Sequence, residues 1–143
     1  MVLGKGSPTE ALKQEDVRQL LAQALDGQPL DGKRLLLLIP DGTRTAPIPL
    51  MFRLLYEQIG KRVARLDYLI ALGTHPPMTE PAIERLVGVS AAERAQRYPN
   101  VSVLNHRWDL PEMLQTIGVI TRAEMETITG GLLAQKTPVT LNK

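Results

Sequence analysis

The chain has 143 residues, of which 43% are hydrophobic, so it is long enough to form one domain with a core of its own. Its 17 basic residues exceed its 15 acidic residues by only two and aromatic residues make up 3%, which argues against nucleic-acid binding. The absence of cysteine excludes disulfides and thiolate metal sites, and it suits a reducing cytoplasm.

The sequence contains neither an apolar signal-peptide core near its start nor a run of about twenty apolar residues that would span a membrane. We therefore predict a soluble, cytoplasmic protein with no membrane partner. It forms a single α/β domain over residues 1–143, with residues 1–6 disordered. No repeat, low-complexity segment or interdomain linker interrupts this domain.

One amphipathic helix is predicted before the first apolar run. Residues 7–10, Ser-Pro-Thr-Glu, have the form of a capping box with proline at the first helical position, and a start near Gln14 is the alternative. Apolar residues then recur at helical spacing, and Gly27 follows the last of them.

The first strongly apolar run is Leu35 to Ile39, which does not alternate with polar residues. This composition favours a parallel strand covered on both faces, although a buried helix has the same periodicity. Pro40 favours the strand because proline lacks an N–H and ends the ladder. Pro47 and Pro49 suit the first turn of a helix that continues to Gly60.

The same pattern recurs at Leu66 to Leu72, a second apolar run that ends in glycine, polar residues and prolines. Thr79 then caps a helix that ends at Gly88. Two consecutive strand–loop–helix units predict an α/β fold with a parallel, Rossmann- or flavodoxin-like sheet and helical crossovers. The two strand ends face the same side, which places residues 41–45 near His75.

Weaker signals cover the remainder of the chain. They predict a short helix from Ser90 to Tyr98, a strand at Val101 to His106, helical turns at Pro111–Ile117 and Arg122–Thr129, and a strand at Pro138 to Leu141. The sheet either continues elsewhere, as in the amino-terminal part of a larger domain, or ends with a carboxy-terminal edge strand.

Ligands of open α/β sheets bind outside the carboxyl ends of the strands, where Asp41, Thr43, Arg44 and Thr45 lie. Asp41 offers a carboxylate acceptor, Arg44 a planar donor fork for an anion, and the threonines add hydroxyl groups. The alternative is an Asp-Gly turn in which Arg44 pairs locally with Asp41.

His75 lies in a strand-to-helix loop, and an imidazole suits proton transfer near neutral pH. A loop histidine bonded to backbone is the alternative, and for His106 packing and capping beside Trp108 are favoured. Neither histidine belongs to a metal-ligand spacing, and the sequence has no P-loop and no GxGxxG.

Two motifs then carry a family resemblance. The first is Pro-Asp-Gly-Thr-Arg at residues 40–44, followed by Pro47; the second is Ala-Leu-Gly-Thr-His at residues 71–75, followed by Pro-Met-Thr at residues 77–79. In this order and spacing they resemble the nickel-dependent lactate racemase family. The similarity extends from about the first helix to Lys143, which is the first part of a family member.

The resemblance implies a racemase or epimerase of 2-hydroxy acids that uses a nickel-pincer nucleotide. In that family the pyridinium ring of the cofactor accepts a hydride from the substrate carbon while a histidine removes the hydroxyl proton. Carried over by position, the cofactor contacts would be Asp41, Gly42, Thr43 and Arg44. Arg44 and His75 would bind the substrate, and His75 would be a catalytic acid/base residue.

The family's second catalytic histidine, its cofactor-linking lysine and its nickel-binding histidine are expected after Lys143, and His106 matches none of them. Thr45 and Pro76 depart from the proline and arginine that the family usually has. We therefore expect no metal site and no tightly bound cofactor in this chain alone, which would be inactive without a carboxy-terminal portion or a second copy.

The leading interpretation is thus the amino-terminal portion of a lactate-type racemase or epimerase that acts on a small 2-hydroxy acid. Two alternatives belong to other classes of protein. One is a noncatalytic module that binds a nucleotide or an anion at the same strand ends. The other is an inactive, truncated subunit that self-associates through an uncovered sheet edge.

Overall fold

A computed structural model of the chain describes residues 3–143. The elements in chain order are α1 (Gln14–Leu25), β1 (Arg34–Pro40), α2 (Ile48–Ile59), β2 (Arg65–Ala71), α3 (Glu80–Val87), α4 (Ala91–Arg97), β3 (Val101–Asn105), β4 (Leu114–Ile120), α5 (Arg122–Ile128) and β5 (Thr137–Asn142). A 3-10 turn at Pro111–Met113 directly precedes β4. Within residues 3–143, no helix combines the length and the hydropathy that crossing a lipid bilayer requires.

The chain divides into two compact units, one ending at His106 and the other formed by Arg107–Lys143. The single domain over residues 1–143 stays a prediction. Residues 3–6 are exposed and lie in no helix or strand, whereas residues 1 and 2 of the segment predicted to be disordered lie outside the described residues.

The first unit is built on a parallel sheet in which β2 lies between β1 and β3. Each strand is joined to the next by helices, which satisfies the need of parallel strands for long crossover connections. The predicted α/β fold with a parallel sheet and helical crossovers is therefore confirmed.

The core of the first unit lies on one face of this sheet. Phe52 of α2 packs its ring 4.9 Å from that of Tyr68 on β2 and 5.1 Å from that of Tyr98 after α4. The other buried members of this cluster are Ile48, Ile59, Val63, Leu66, Val87 and Val89. Because these residues come from α2, β2 and the segment around α3 and α4, they hold both crossovers against the sheet.

The opposite face of the sheet is open to solvent, which corrects the prediction that the first strand is covered on both faces. Leu37 of β1 is partly buried against the core, but Leu36 is 57% exposed and Leu38 is 69% exposed. Leu38 is in register with Leu69 of β2, which in turn is in register with Leu104 of β3, itself 46% exposed. Apolar composition indicated the strand correctly but not which face the helices cover.

The helix boundaries resolve the alternatives for the amino-terminal segment. α1 begins at Gln14, as the second alternative had it. The hydroxyl of Ser7 instead accepts bonds from the backbone N–H groups of Thr9 at 3.3 Å and Glu10 at 3.1 Å, which makes a turn. Asp16, in the first turn of α1, accepts a bond at 3.1 Å from the backbone N–H of Lys13, the residue before the helix.

The predicted end of α3 and the predicted start of α4 are also present. Gly88 ends α3 with φ +69°, and a Cβ at this position would lie 2.7 Å from Cβ of Pro49, so only glycine fits against α2. Ser90 caps α4 by accepting a bond from the N–H of Glu93 at 3.1 Å.

The second unit contains an antiparallel pair, β4 and β5, together with α5. The helical turn predicted over Pro111–Ile117 is wrong beyond Met113, because pairing with β5 draws the following residues into β4. Such cross-strand pairing outweighs weak local propensity. The predicted last strand is present as β5, and its partner is β4 rather than the parallel sheet.

Candidate active site

Three polar segments follow the three parallel strands of the first unit. β1 ends at Pro40 and is followed by Asp41, β2 ends at Ala71 and leads to His75, and β3 ends at Asn105. Because parallel strands end at the same edge of a sheet, these segments come together there.

Asp41 and His75 are in direct contact although 34 residues separate them in sequence. Nδ1 of His75 lies 2.5 Å from Oδ2 of Asp41. The Asp41 side chain is only 11% exposed, while that of His75 is 55% exposed. The prediction that the loop after the first strand lies near His75 is confirmed. The imidazole of this pair is exposed to solvent, and the carboxylate that it contacts is buried.

The second carboxylate oxygen of Asp41 organises its own loop. Oδ1 accepts bonds from the hydroxyl of Thr43 at 2.5 Å and from its backbone N–H at 3.1 Å. The Thr43 hydroxyl, then the bond to His75 and then the Thr43 amide lower the pKa of Asp41 from 3.8 to about 2. The Asp-Gly turn of the alternative is therefore present, since the N–H of Arg44 also donates to the carbonyl of Asp41 at 3.4 Å. Among the described residues, however, the Asp41 carboxylate bonds Thr43 and His75 and has no ion pair with Arg44.

This geometry fixes the proton on the His75 ring. An ionised carboxylate only accepts hydrogen bonds, so Nδ1 of His75 carries the proton that faces Asp41. In the neutral imidazole, Nε2 then has the lone pair and can accept a proton. A carboxylate on the far side of a histidine also stabilises the imidazolium that forms when Nε2 takes up a proton.

The loop that carries His75 is fixed at both of its ends. Gly73 has φ +60°, a conformation that glycine adopts without strain, and the N–H of His75 donates to the carbonyl of Leu72 at 2.9 Å. Further along, Asn105 accepts a bond from the N–H of Met78 and donates one to its carbonyl, both at 2.9 Å. The sequence predicts Asn105 only as part of the strand at Val101 to His106 and indicates no role for its side chain.

A cavity of about 260 Å³ opens at the Asp41–His75 pair. It is lined by Pro40, Asp41, Thr43, Arg44, Ala71, Leu72, Gly73, Thr74 and His75. Four of the predicted site residues, Asp41, Thr43, Arg44 and His75, therefore meet at one cavity, whereas Gly42 and Thr45 do not line it. Gly42 lines a neighbouring cavity, and Arg44 lines both of them.

The other histidine has a different environment. Nδ1 of His106 is buried and has no hydrogen-bond partner in the part of the chain that the structure describes. The backbone N–H of His106 donates to the carbonyl of Ile70 in β2 at 3.1 Å. No group of three or more possible metal ligands occurs among residues 3–143. The expectation that this chain alone has no metal site stays a prediction.

The fold and the paired side chains define an α/β domain of the kind that binds small molecules at its strand ends. The chain belongs to the lactate racemase family, because residues 3–137 match the family described as the lactate racemase N-terminal domain. This confirms the resemblance carried by the two strand-end motifs. Among curated proteins, none matches the chain.

A solved structure supports the same fold. The chain is similar to a protein from Thermotoga maritima whose crystal structure is known, with a TM-score of 0.73 and 26% sequence identity. The similarity covers 92% of this chain and 30% of the other. The chain thus spans less than a third of the length of that protein.

Proposed function

We propose that the chain forms part of the catalytic site of a racemase or epimerase of 2-hydroxy acids, with His75 as an acid/base residue. The observation that carries the proposal is the contact between Nδ1 of His75 and Oδ2 of Asp41 at 2.5 Å. Membership in the lactate racemase family supports racemisation as the reaction in which this pair would take part. The alternative from another class, a noncatalytic module that binds an anion, would use Arg44 but would not need this pair.

The proton step follows from the orientation of the imidazole. Nε2 of His75 accepts the proton of the substrate hydroxyl as the bond from carbon to hydrogen breaks, and it returns a proton when that bond re-forms. Asp41 keeps the ring in the required tautomer and balances the positive charge. Since 55% of the His75 side chain is exposed, a ligand in the cavity can reach it.

Arg44 is the proposed carboxylate-binding residue. Arg44 lines the same cavity as His75, and its guanidinium has no ion pair with any residue of the described chain. A guanidinium presents two parallel donors to a carboxylate, which would fix the hydroxyl-bearing carbon beside His75.

The family implies a nickel-pincer nucleotide for its full-length members, and this group supplies hydride acceptance when it is bound. The guanidinium of Arg44, which is a donor only, fits the anionic oxygens of a nucleotide rather than a metal ion. The hydroxyl of Thr43 donates to Asp41, so it offers a ligand only its acceptor oxygen. Asp41 and Gly42 complete the proposed cofactor contacts. The cytoplasmic location and the association with a carboxy-terminal portion or a second copy stay predictions.

Reconstitution tests this function. The chain is mixed with the carboxy-terminal portion of a lactate racemase of this family that carries its cofactor, and interconversion of D- and L-lactate is followed by chiral chromatography. Activity that requires both parts, and that His75→Ala abolishes, supports the proposal. If both the unchanged chain and the His75→Ala variant form the complex and neither complex is active, the result would favour the noncatalytic module.

A further inference from the structure

A second cavity adjoins the first and is not accounted for by the proposed proton transfer. It measures about 410 Å³ and lies between the loop after β1 and the helices α2 and α3. Its lining consists of Gly42, Arg44, Ala46, Pro49, Met78, Ala82, Arg85 and Leu86. Arg44 is common to both cavities, so a group bound in one lies next to a group bound in the other.

Two arginines line this cavity and no acidic residue does. Arg44 comes from the loop after β1, and Arg85 comes from the last turn of α3. Neither has an ion pair with another residue in the region 3–143. Two cations in one concave site attract an anion, and each is a fork of donors for its oxygens.

The acidic residues of α3, Glu80 and Glu84, do not lie beside Arg85. Ala82 and Pro81 occupy the positions three and four residues before Arg85, so the helix offers it no acidic partner. Glu80 forms an ion pair with Arg94 of α4. Oε1 of Glu84 accepts a bond from the backbone N–H of Ala91 at 2.7 Å, at the start of α4. Both carboxylates therefore join α3 to α4. The positive charge of Arg85 is not neutralised by either of them.

The rest of the lining is apolar or lies at the start of α2. Met78, Pro49 and Leu86 offer carbon surface that suits the uncharged part of a ligand. The first turn of α2 contains no acidic residue, so the positive end of this helix dipole acts with the arginines. The cavity therefore combines two donor forks with a contact surface for carbon atoms.

We propose that Arg85 and Arg44 form a second anion-binding site, beside the His75–Asp41 pair, for a phosphate or carboxylate group of a bound ligand. The inference rests on the proposed function for the source of that anion. The source is either the phosphate of a nucleotide or a second carboxylate on the hydroxy acid. Arg85 is the new member of the site, and it would determine which ligands the adjoining centre accepts.

Titration of the 143-residue chain at fixed ionic strength tests this site. Calorimetry or amide chemical shifts would be followed with inorganic phosphate, adenosine monophosphate, malate and lactate. Arg85→Gln is expected to weaken phosphate or malate binding roughly ten- to a hundredfold, the usual value of a hydrogen bond to a charged group. Arg85→Lys should recover part of the affinity, because it keeps the charge but not the fork.

Arg34→Gln is the matched control. Arg34 begins β1 at the amino end of the strand and likewise has no ion pair within the described chain. Its replacement removes the same charge without touching the cavity. Equal losses in Arg34→Gln and Arg85→Gln, or no saturable binding by the unchanged chain, would overturn the proposal. So would unchanged affinity in Arg85→Gln, with or without a lower melting temperature.

The ligand series distinguishes the two sources of the anion. Tighter binding of adenosine monophosphate than of malate assigns the site to a nucleotide phosphate, and the reverse order assigns it to a second carboxylate. His75→Ala should leave the affinities for phosphate and adenosine monophosphate unchanged while it abolishes reconstituted racemisation. Loss of the anion site and loss of the proposed function are therefore separate results.

Discussion

The side chain of Asn105 and the backbone of Met78 are bonded to each other twice. The amide oxygen accepts from the Met78 N–H at 2.9 Å, and the amide nitrogen donates to the Met78 carbonyl at 2.9 Å. This reciprocal pair joins the end of β3 to the loop that follows β2, three residues beyond His75. The position of the candidate base thus depends on a side chain from a different strand.

We expect Asn105→Ala to disorder this loop and to lower the free energy of unfolding by about 1–3 kcal/mol, since two backbone groups lose their partner. Asn100→Ala is a matched control because Asn100 also donates to two backbone carbonyls, those of Gly60 at 2.8 Å and Val63 at 3.2 Å. Chemical denaturation measures both losses. Only Asn105→Ala should also shift the NMR signals of His75, and equal shifts in the two variants would contradict this role.

His75→Ala should reduce the turnover of the reconstituted enzyme roughly a hundred- to ten-thousandfold, the usual contribution of a positioned acid or base. Its free energy of unfolding should change little, because more than half of the side chain is exposed. His106→Ala should reduce turnover far less. Steady-state racemisation and thermal melting of the two variants check this, and near-normal turnover of His75→Ala would refute the assignment.

The depressed pKa of Asp41 makes a prediction about acid stability. The folded chain releases the Asp41 proton at about pH 2 and the unfolded chain at about 3.8, so the unfolded state binds more protons between these values. The stability that this carboxylate contributes is therefore complete above about pH 4 and is lost as the pH falls through about 2. In Asp41→Asn the dependence in this window should flatten, which denaturation at several pH values would reveal.

The relative size of the two effects that lower the pKa of Asp41 can be checked separately. The hydroxyl of Thr43 lowers the pKa of Asp41 most, and the bond to His75 contributes less. Thr43→Ala should therefore raise the pKa of Asp41 more than His75→Ala does. Carbon NMR titration of the carboxyl group measures both values, and the opposite order would assign the larger effect to the histidine.

The sequence indicates the part of the site that follows from strand order alone. A buried run followed by a polar loop and a helix, repeated once, already places Asp41 near His75, since parallel strands end at one edge. Strand order does not predict the roles of Arg85 and Asn105, and the reason is physical. Arg85 has the spacing of any solvated helical residue, and the cavity that it lines forms only where α3 packs beside α2 and the loop after β1.

The same limit applies to the faces of the first strand and to β4. Consecutive leucines in β1 carry no alternation, so composition does not distinguish Leu37, which meets the core, from Leu38, which does not. β4 depends on pairing with β5, which lies beyond an intervening helix. Long-range pairing of this kind leaves only a weak local signal.

Leu37 and Leu38 provide the last prediction, because they are neighbours of identical chemistry on opposite faces of one strand. Leu37→Gln should lower the free energy of unfolding by about 1–3 kcal/mol, since it places an amide against the apolar core. Leu38→Gln should change it by less than about 0.5 kcal/mol, because the native side chain is 69% exposed.

The same two substitutions should affect self-association in the opposite order, with the larger effect from Leu38→Gln. Leu36, Leu38 and Leu104 form an exposed apolar surface on the open face of the sheet, and such surfaces promote association in water. If the chain self-associates through this surface, Leu38→Gln should shift it toward monomer in sedimentation velocity at high concentration, whereas Leu37→Gln should not. A clean monomer for the unchanged chain would contradict the predicted self-association, and equal shifts in both variants would place the contact elsewhere.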